Sequence, residues 1–231
     1  MKVNKILSVA ASMALIFSMS LSSALAENEA KKISEATGVV KEIMAIPEKG
    51  IPPALLKNAY GIAIIPGVIK LGFIVGGRHG SGVLMVRDNE GKWSNPVFVN
   101  FTGGSVGWQI GAQSTDVILV FKSRRSVEGI KKGKFTLGVD AAVAAGPVGR
   151  KLEAATDVKL KAEIYSYSRS RGLFAGVSLE GAALQIDDDA DAAFYGNPGI
   201  RAGEIMSGKV GISSPEIRNL QKLLVEYATI R

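Results

Sequence analysis

Basic side chains are the residues of this sequence whose types and spacing best suit a binding chemistry. One cluster of six occupies 13 residues and is interrupted by a single acid, Glu128; its members are Lys122, Arg124, Arg125, Lys131, Lys132 and Lys134. A second pair, Arg169 and Arg171, alternates with serines after Tyr165 and Tyr167. Such clusters attract anionic partners, among them lipid headgroups, polyanionic surfaces and nucleic acid. A solvated face without a ligand is the ordinary alternative for each cluster.

The alternation around the second pair predicts a hairpin with two different faces. With a period of two, the tyrosines and arginines at positions 165, 167, 169 and 171 share one face, and the serines at 166, 168 and 170 share the other. The phase restarts after Gly172, which is typical of two antiparallel strands joined by a tight turn. We predict a surface or groove in which the Tyr165 and Tyr167 rings suit a lipid boundary, because each ring is apolar with a polar tip.

Catalytic patterns are weak in the rest of the chain. His79 is the only histidine and there is no cysteine, so the parts for a histidine metal cluster or for thiolate chemistry are missing. Residues 203–209 match most of a phosphate-binding loop, but Val210 follows where Ser or Thr would hold magnesium. The sequence therefore predicts a protein that is not an enzyme and that uses no metal or cofactor.

Three aspartates have the spacing of the first calcium ligands of an EF-hand loop: Asp187, Asp189 and Asp191. The sixth position of that loop is Ala192 instead of Gly, and the twelfth is Pro198 instead of Glu. Because the match fails where the geometry is strictest, the pattern favours a solvated acidic turn, with a weak calcium site as the alternative.

The elements that would position these residues predict an α+β fold. Short strands are expected at residues 62–65, 70–75, 81–86, 92–101, 105–112, 115–121, 135–145, 162–170 and 173–186. Pro66-Gly67 would end the first strand, and residues 76–80 would connect the next two. This series favours a strongly curved antiparallel sheet or partial barrel with Gly-rich connections. Helices at residues 29–45, 53–60 and 213–230 would flank the sheet at both ends of the chain, and Ser213 and Glu216 would cap the last one.

The first 26 residues predict a secretory signal peptide. Lys2 and Lys5 precede an apolar run, and residues 24–26 (Ala-Leu-Ala) form an A-x-A cleavage site; an uncleaved transmembrane helix is the alternative. Residues 27–231 would form a single domain. Without Lys2 and Lys5 it carries 26 basic and 21 acidic side chains, a formal charge of +5. Export to the periplasm or the medium makes nucleic acid an unsuitable partner.

The hairpin sequence YSYSRSRGLFAGVSLEG, residues 165–181, closely resembles the signature of the SYLF family of lipid-binding domains. Residues 59–84, 93–121, 137–150 and 192–196 fit the same pattern, so the resemblance covers a core of residues 33–196. It implies non-enzymatic binding of an anionic phospholipid or membrane surface. Arg169, Arg171, the two tyrosines and the Lys122–Lys134 cluster would make the contacts.

In eukaryotic SYLF relatives, a helix upstream of the sheet joins in membrane binding, and some relatives bundle actin. The matching helix here, residues 29–45, carries Lys31, Lys32 and Lys41 but no Trp or Phe, so packing on the sheet is favoured over insertion into a bilayer. An anionic lipid is thus the expected partner, and a protein partner stays unknown. The alternative is a structural or interaction protein of the cell envelope that binds a polyanionic glycan or another protein.

Overall fold

The longest element of the fold is a strand of 26 residues, β1 (Gly61–Val86). Its first half pairs antiparallel with β3 (Gln113–Phe121), and its second half pairs antiparallel with β2 (Val97–Gly107). The computed structural model in which these pairings occur describes residues 25–46, 50–88, 90–107, 113–147, 162–170, 173–174, 179–212 and 214–229.

β1 bends back on itself, and glycines make the bend possible. The register with β3 shifts between Ile65 and Val68, and Gly67 within this bulge has a φ of 57°, in the left-handed region that favours glycine. Further along, Gly82 lies against the backbone of Ile64, where a Cβ atom would overlap the carbonyl oxygen. The two halves of β1 therefore pack closely, and the Arg87 N–H donates to the Tyr60 carbonyl oxygen at 2.9 Å to close the loop.

The predicted breaks in this region were wrong. Pro66-Gly67 forms a bulge inside a continuous strand, and residues 76–80 are paired with β2 throughout. The predicted break between strands 92–101 and 105–112 is also wrong, because β2 begins at Val97 and runs without a break to Gly107; residues 108–112 lie outside the described residues. Glycine-rich segments are typical of turns, but here they permit curvature and close approach between backbones.

The rest of the sheet is built from short strands. They are β4 (Phe135–Thr136), β5 (Val143–Ala145), β6 (Ile164–Ser170), β7 (Leu173–Phe174) and β8 (Ala183–Ile186). Within the described ranges, eight strands form one sheet in the order β4-β8-β2-β1-β3-β6-β5, with β7 paired to β6. Only the β5–β6 pair among these is parallel. The sheet is a strongly curled half-barrel, as the sequence predicted.

A turn interrupts one predicted strand and another predicted strand is only partly described. Residues 135–145 divide into β4 and β5 at a turn in which Gly138 has a φ of 83°. Of residues 173–186, the structure describes β7, β8 and the turn before β8, where Gly181 has a φ of 78°; residues 175–178 lie outside the described residues. Both angles suit glycine.

Helices cover both faces of the sheet. α1 (residues 25–44), α2 (Pro53–Lys57) and α6 (Pro215–Thr229) pack on one face, with strand residues such as Ile62 and Ile118. α3 (Arg124–Ile130) and α5 (Ala202–Met206) pack on the other, with Ala63 and Leu119. α4 (Asp188–Tyr195) contributes to both clusters. The alternation of strand residues between the two clusters is the period of two expected of strands buried on both faces.

α1 packs on the sheet, as its apolar stripe indicated. The stripe residues Ile33, Ala36, Val40 and Ile43 are at most 1% exposed and belong to the same cluster as the strand side chains. Burial of each aliphatic side chain of this size contributes about 1.5–3 kcal/mol. None of the helices within the described ranges combines the length and the apolar character that crossing a membrane requires.

The C-terminal helix α6 has the predicted buried apolar stripe, but a different residue caps its N-terminus. Ile217, Leu220 and Leu224 are buried against α2 and the sheet. The Ile217 N–H donates to the Ser214 hydroxyl oxygen at 3.3 Å, so the capping residue lies one position later than predicted. Ser213 lies outside the described residues, as does residue 230.

Candidate functional site

β6 carries the Tyr-Ser ladder, and its two faces separate as predicted. The pairs Arg169–Phe174 and Ser170–Leu173 place β7 antiparallel to β6 around a two-residue connection, which confirms the hairpin. Tyr165 and Tyr167 point to the face that α1 covers and are 1% and 0% exposed. Their rings therefore belong to the core, so the predicted surface position of the two rings is wrong, while their contact with a lipid stays an untested prediction.

Three hydroxyl groups of β6 are hydrogen-bonded within the fold. The Tyr167 hydroxyl donates to the Pro147 carbonyl oxygen at 3.0 Å, and burial raises the pKa of this phenol well above its usual value. On the other face the Ser166 and Ser170 hydroxyls donate to backbone carbonyl oxygens at 3.3 and 3.2 Å. The small serines leave room for a neighbouring strand, and no group on this ladder is arranged for catalysis.

Arg169 lies in an ion-pair cluster at the end of β6. Its Nη2 donates to Asp116 Oδ2 of β3 at 3.1 Å and also contacts Glu42 Oε2 of α1. The other carboxylate oxygen of Asp116 accepts from the Gly67 N–H in the β1 bulge at 2.9 Å. The Arg169 side chain is 22% exposed, so it is accessible from solvent but already paired. Its predicted companion Arg171 lies outside the described residues.

The other predicted cluster is built on α3 and the turn after it. Ser123 caps α3 by accepting the Ser126 N–H at 3.2 Å, and Val127 and Ile130 anchor the helix in the core. Lys132 and Gly133 then donate back to the last turn of α3, which folds the following lysines over the helix end. We call the exposed cations of this unit the α3 basic surface; they are Arg124, Arg125, Lys131, Lys132 and Lys134.

Lys122 belongs to the edge of this unit and not to its exposed surface. It is partly buried, and its Nζ lies 5.2 Å from the centroid of the Tyr165 ring. This cation–π contact directs the ammonium group toward the tyrosine face. Glu128 is the exposed acid among the α3 cations, as the sequence showed.

Glu163 joins α3 to β6, a role that no sequence pattern indicates. Its Oε2 accepts from the hydroxyls of Ser126 and Ser123 at 2.6 and 2.9 Å. These hydrogen bonds, with a smaller contribution from the charge of Arg125, hold the pKa of the Glu163 carboxyl below its usual range. A serine pair before a basic run and an acid some 40 residues later form no recognisable motif.

The structure does not bring all predicted lipid contacts into one patch. β3 and β6 pair Phe121 with Ile164 at the α3 end and Asp116 with Arg169 at the other end. Five residues of strand separate the two positions, which corresponds to about 17 Å along the sheet. The α3 basic surface and Arg169 are therefore two separate places on the molecule.

The acidic segment is an N-terminal helix cap, not a solvated turn. Asp187 caps α4 by accepting the Ala190 N–H at 3.1 Å, and Asp188 and Asp189 are exposed. Asp191, in contrast, is fully buried and accepts the Phe98 N–H at 2.9 Å. Burial is the main cause that raises its pKa to about 7, and the neighbouring acids Asp188, Asp187 and Glu29 add to the shift.

The remaining candidates for chemistry occupy ordinary positions. His79 is exposed in the middle of β1. The segment that resembles a phosphate-binding loop is mostly the short helix α5, which begins at Ala202. Across the ranges that the structure describes, no three acidic or imidazole side chains come together to hold a metal ion.

A comparison with known protein families identifies the family of this chain. A family model described as Ysc84, Las17-binding protein actin regulator, matches residues 102–227, which include α3, β6 and α4. The chain belongs to this family. The SYLF resemblance seen in the hairpin sequence is thereby confirmed.

Curated relatives support the same assignment. SH3 domain-containing YSC84-like protein 1 of Xenopus laevis is 37% identical over 199 residues, which are 84% of this chain and 59% of that protein. The human protein of the same name is 40% identical over 185 residues, 79% of this chain and 54% of its own. LAS seventeen-binding protein 3 of Saccharomyces cerevisiae is 40% identical over 163 residues, 69% and 35% of the two chains.

The chain thus spans between about a third and three fifths of these relatives. The Ysc84 family is described by binding and actin regulation, which are not enzymatic activities.

Proposed function

We propose that this Ysc84-family protein binds anionic phospholipid membranes through its α3 basic surface. The observation that carries the proposal is the exposure of Arg124, Arg125, Lys131, Lys132 and Lys134 on one short unit, against the single exposed acid Glu128. Flat clusters of this composition are attracted to anionic headgroups, and guanidinium groups form paired hydrogen bonds with phosphate oxygens.

The expected strength of this attachment is modest. Each basic residue near an anionic bilayer contributes about 1 kcal/mol, so the five together supply on the order of 5 kcal/mol. This corresponds to an association constant of roughly 10⁴ M⁻¹, which is reversible binding that salt would weaken. Insertion of a helix is not part of the proposal, because the apolar stripe of α1 is already buried on the sheet.

The membrane that this surface would meet depends on where the protein resides. We propose export, in the periplasm or beyond it, on the basis of the A-x-A site and the apolar run before residue 27. The ligand is then an anionic phospholipid of an envelope membrane, and nucleic acid is not a partner.

Co-sedimentation with vesicles tests this proposal. The purified protein would be mixed with phosphatidylcholine vesicles and with vesicles containing phosphatidylglycerol, at salt from about 0.05 to about 0.5 M. Binding to the anionic vesicles alone, lost steeply with salt, supports a basic docking surface. Equal binding to both lipids at all salt concentrations would contradict it and indicate apolar insertion.

Binding of a protein partner is the second candidate function. The observation that favours it is the family description and the name of the yeast relative, both of which refer to binding of Las17. Failure to bind either type of vesicle, together with salt-sensitive binding to an envelope protein, would support this second candidate.

A further inference from the structure

Arg169 is held by two carboxylates of unequal mobility. Asp116 is fixed on both sides, since one oxygen accepts from the Gly67 N–H and the other from Arg169. Glu42 approaches from α1, and its side chain is 53% exposed. Of the two acids, Glu42 is the one that can leave Arg169 without breaking a bond inside the sheet.

The guanidinium group retains hydrogen-bonding capacity that these acids do not use. Both carboxylates meet the same nitrogen, Nη2. Nε is buried and has no hydrogen-bond partner among the described residues. An Arg side chain has five N–H donors in a planar fork that matches the paired oxygens of a phosphate group. Arg169 therefore has the donors for a phosphate, but its positive charge is neutralised by two acids.

Glu42 is also placed against the electrostatics of its own helix. It lies in the last turn of α1, which ends at residue 44. The C-terminal end of a helix carries partial negative charge, so a carboxylate there is unfavourable unless a cation offsets it. Arg169 is that cation. The ion pair that stabilises the Glu42 carboxylate is thus the same ion pair that neutralises the charge of Arg169.

We propose that Glu42 is an internal competitor that occupies Arg169 in place of a lipid phosphate. A phosphodiester headgroup displaces the Glu42 carboxylate, pairs with the Arg169 fork and leaves Asp116 in position. This second contact lies on the face of the sheet that α1 covers, whereas α3 packs on the other face, so it is separate from the α3 basic surface. The proposal rests on the membrane binding proposed above and adds the regulation of one contact.

Replacement of the competing charge provides the test. Glu42→Gln and the control Glu35→Gln remove the same charge from the same helix, but Glu35 pairs with Lys31 at 3.7 Å and does not touch Arg169. Each protein is titrated with phosphatidylglycerol-containing vesicles. We expect E42Q to bind about fivefold more tightly than E35Q, which is the contribution of one unmasked basic residue.

The same two substitutions are then made in the Arg169→Gln background, which has neither the charge nor the planar fork. If Glu42 competes for Arg169, the advantage of E42Q over E35Q disappears there. Circular dichroism confirms that each variant is folded. Equal affinities of E42Q and E35Q, or an advantage that is unchanged in the R169Q background, would overturn the competition.

These outcomes differ from a failure of the proposed function. If the unmodified protein binds anionic vesicles in a salt-dependent way and E42Q equals E35Q, membrane binding stands and the competition is wrong. If neither the unmodified protein nor E42Q binds vesicles at the lowest salt, both proposals are wrong.

Discussion

Asp191 accepts the backbone N–H of Phe98 at 2.9 Å from a position with no exposure to solvent. Its second oxygen, Oδ2, has no hydrogen-bond partner within the described ranges. The charges that act on it, from Asp188, Asp187 and Glu29, are all negative, although Glu29 is itself paired with Lys32 at 2.8 Å. Burial and these acids disfavour the carboxylate form, so the pKa of Asp191 rises to about 7.

Asp191→Asn should stabilise the protein above neutral pH. The folded-state pKa is raised above the unfolded value of about 3.9, so the stabilising effect of protonation is complete below pH 4 and is lost as pH rises to about 7. Asn keeps an oxygen for the Phe98 N–H and carries no charge. We expect D191N to raise the free energy of unfolding by about 2 kcal/mol at pH 8 and by little at pH 4. Urea unfolding at both pH values measures this.

Asp189→Asn is the matched control for that experiment. It removes the same charge two residues away on α4, but Asp189 is exposed and is not among the acids that raise the pKa of Asp191. Its unfolding free energy should change by less than about 0.5 kcal/mol. A D191N protein with the same pH dependence as the unmodified protein would show that Asp191 titrates normally.

Gly82→Ala should destabilise the fold strongly. A Cβ atom at residue 82 would overlap the Ile64 carbonyl oxygen, which belongs to the other half of β1 and cannot move without breaking the sheet. Overpacking of this kind costs about 1–3 kcal/mol or more. Gly77→Ala is the control, because no atom lies within 4 Å of its added Cβ. Thermal unfolding of the two variants should differ by several degrees; equal melting temperatures would mean that β1 does not pack on itself there.

Local patterns predicted the parts of this fold that depend on neighbours in sequence. The period of two in β6 placed Tyr165 and Ser166 on opposite faces because a strand alternates by geometry alone. The stripe of α1 identified its buried face for the same kind of reason. The half-barrel followed from many short apolar runs and glycines, although the glycines of β1 were interpreted as turns.

Contacts between residues far apart in the sequence were not predictable from local sequence patterns. Asp191 looked like part of a solvated turn because its partner, the N–H of Phe98, lies 93 residues earlier in the chain. Arg169 looked like a free basic residue because Asp116 lies 53 residues away and Glu42 is farther still. No spacing rule links such positions, since only the curvature of the sheet and the docking of α1 bring them together.

Glu163→Ala should loosen α3 from the sheet. It removes the acceptor of the Ser123 and Ser126 hydroxyls and leaves the two serines to pair with each other. Hydrogen bonds to a charged acceptor contribute about 1.5–3 kcal/mol when buried; at this partly exposed site we expect a loss of about 1 kcal/mol. Urea unfolding measures the loss. Glu128→Ala, at an exposed position of the same helix, is the control, and an equal effect of both would exclude a specific role for Glu163.

Charge reversal on the α3 basic surface should weaken membrane binding without affecting stability. Lys131→Glu with Lys132→Glu replaces two attractive side chains by two repulsive ones, so affinity for phosphatidylglycerol-containing vesicles should fall at least about tenfold, since each residue counts for about 1 kcal/mol. Both lysines are exposed, and thermal unfolding should be nearly unchanged.

The control for this pair makes the same change of net charge elsewhere. Lys57→Glu with Lys222→Glu alters exposed residues of α2 and α6, which pack on the opposite face of the sheet from α3. If attraction depended only on net charge, both double variants would lose affinity equally. A loss confined to K131E/K132E would assign the contact to the α3 basic surface, because salt screens charges that lie more than about 10 Å from the bound headgroups.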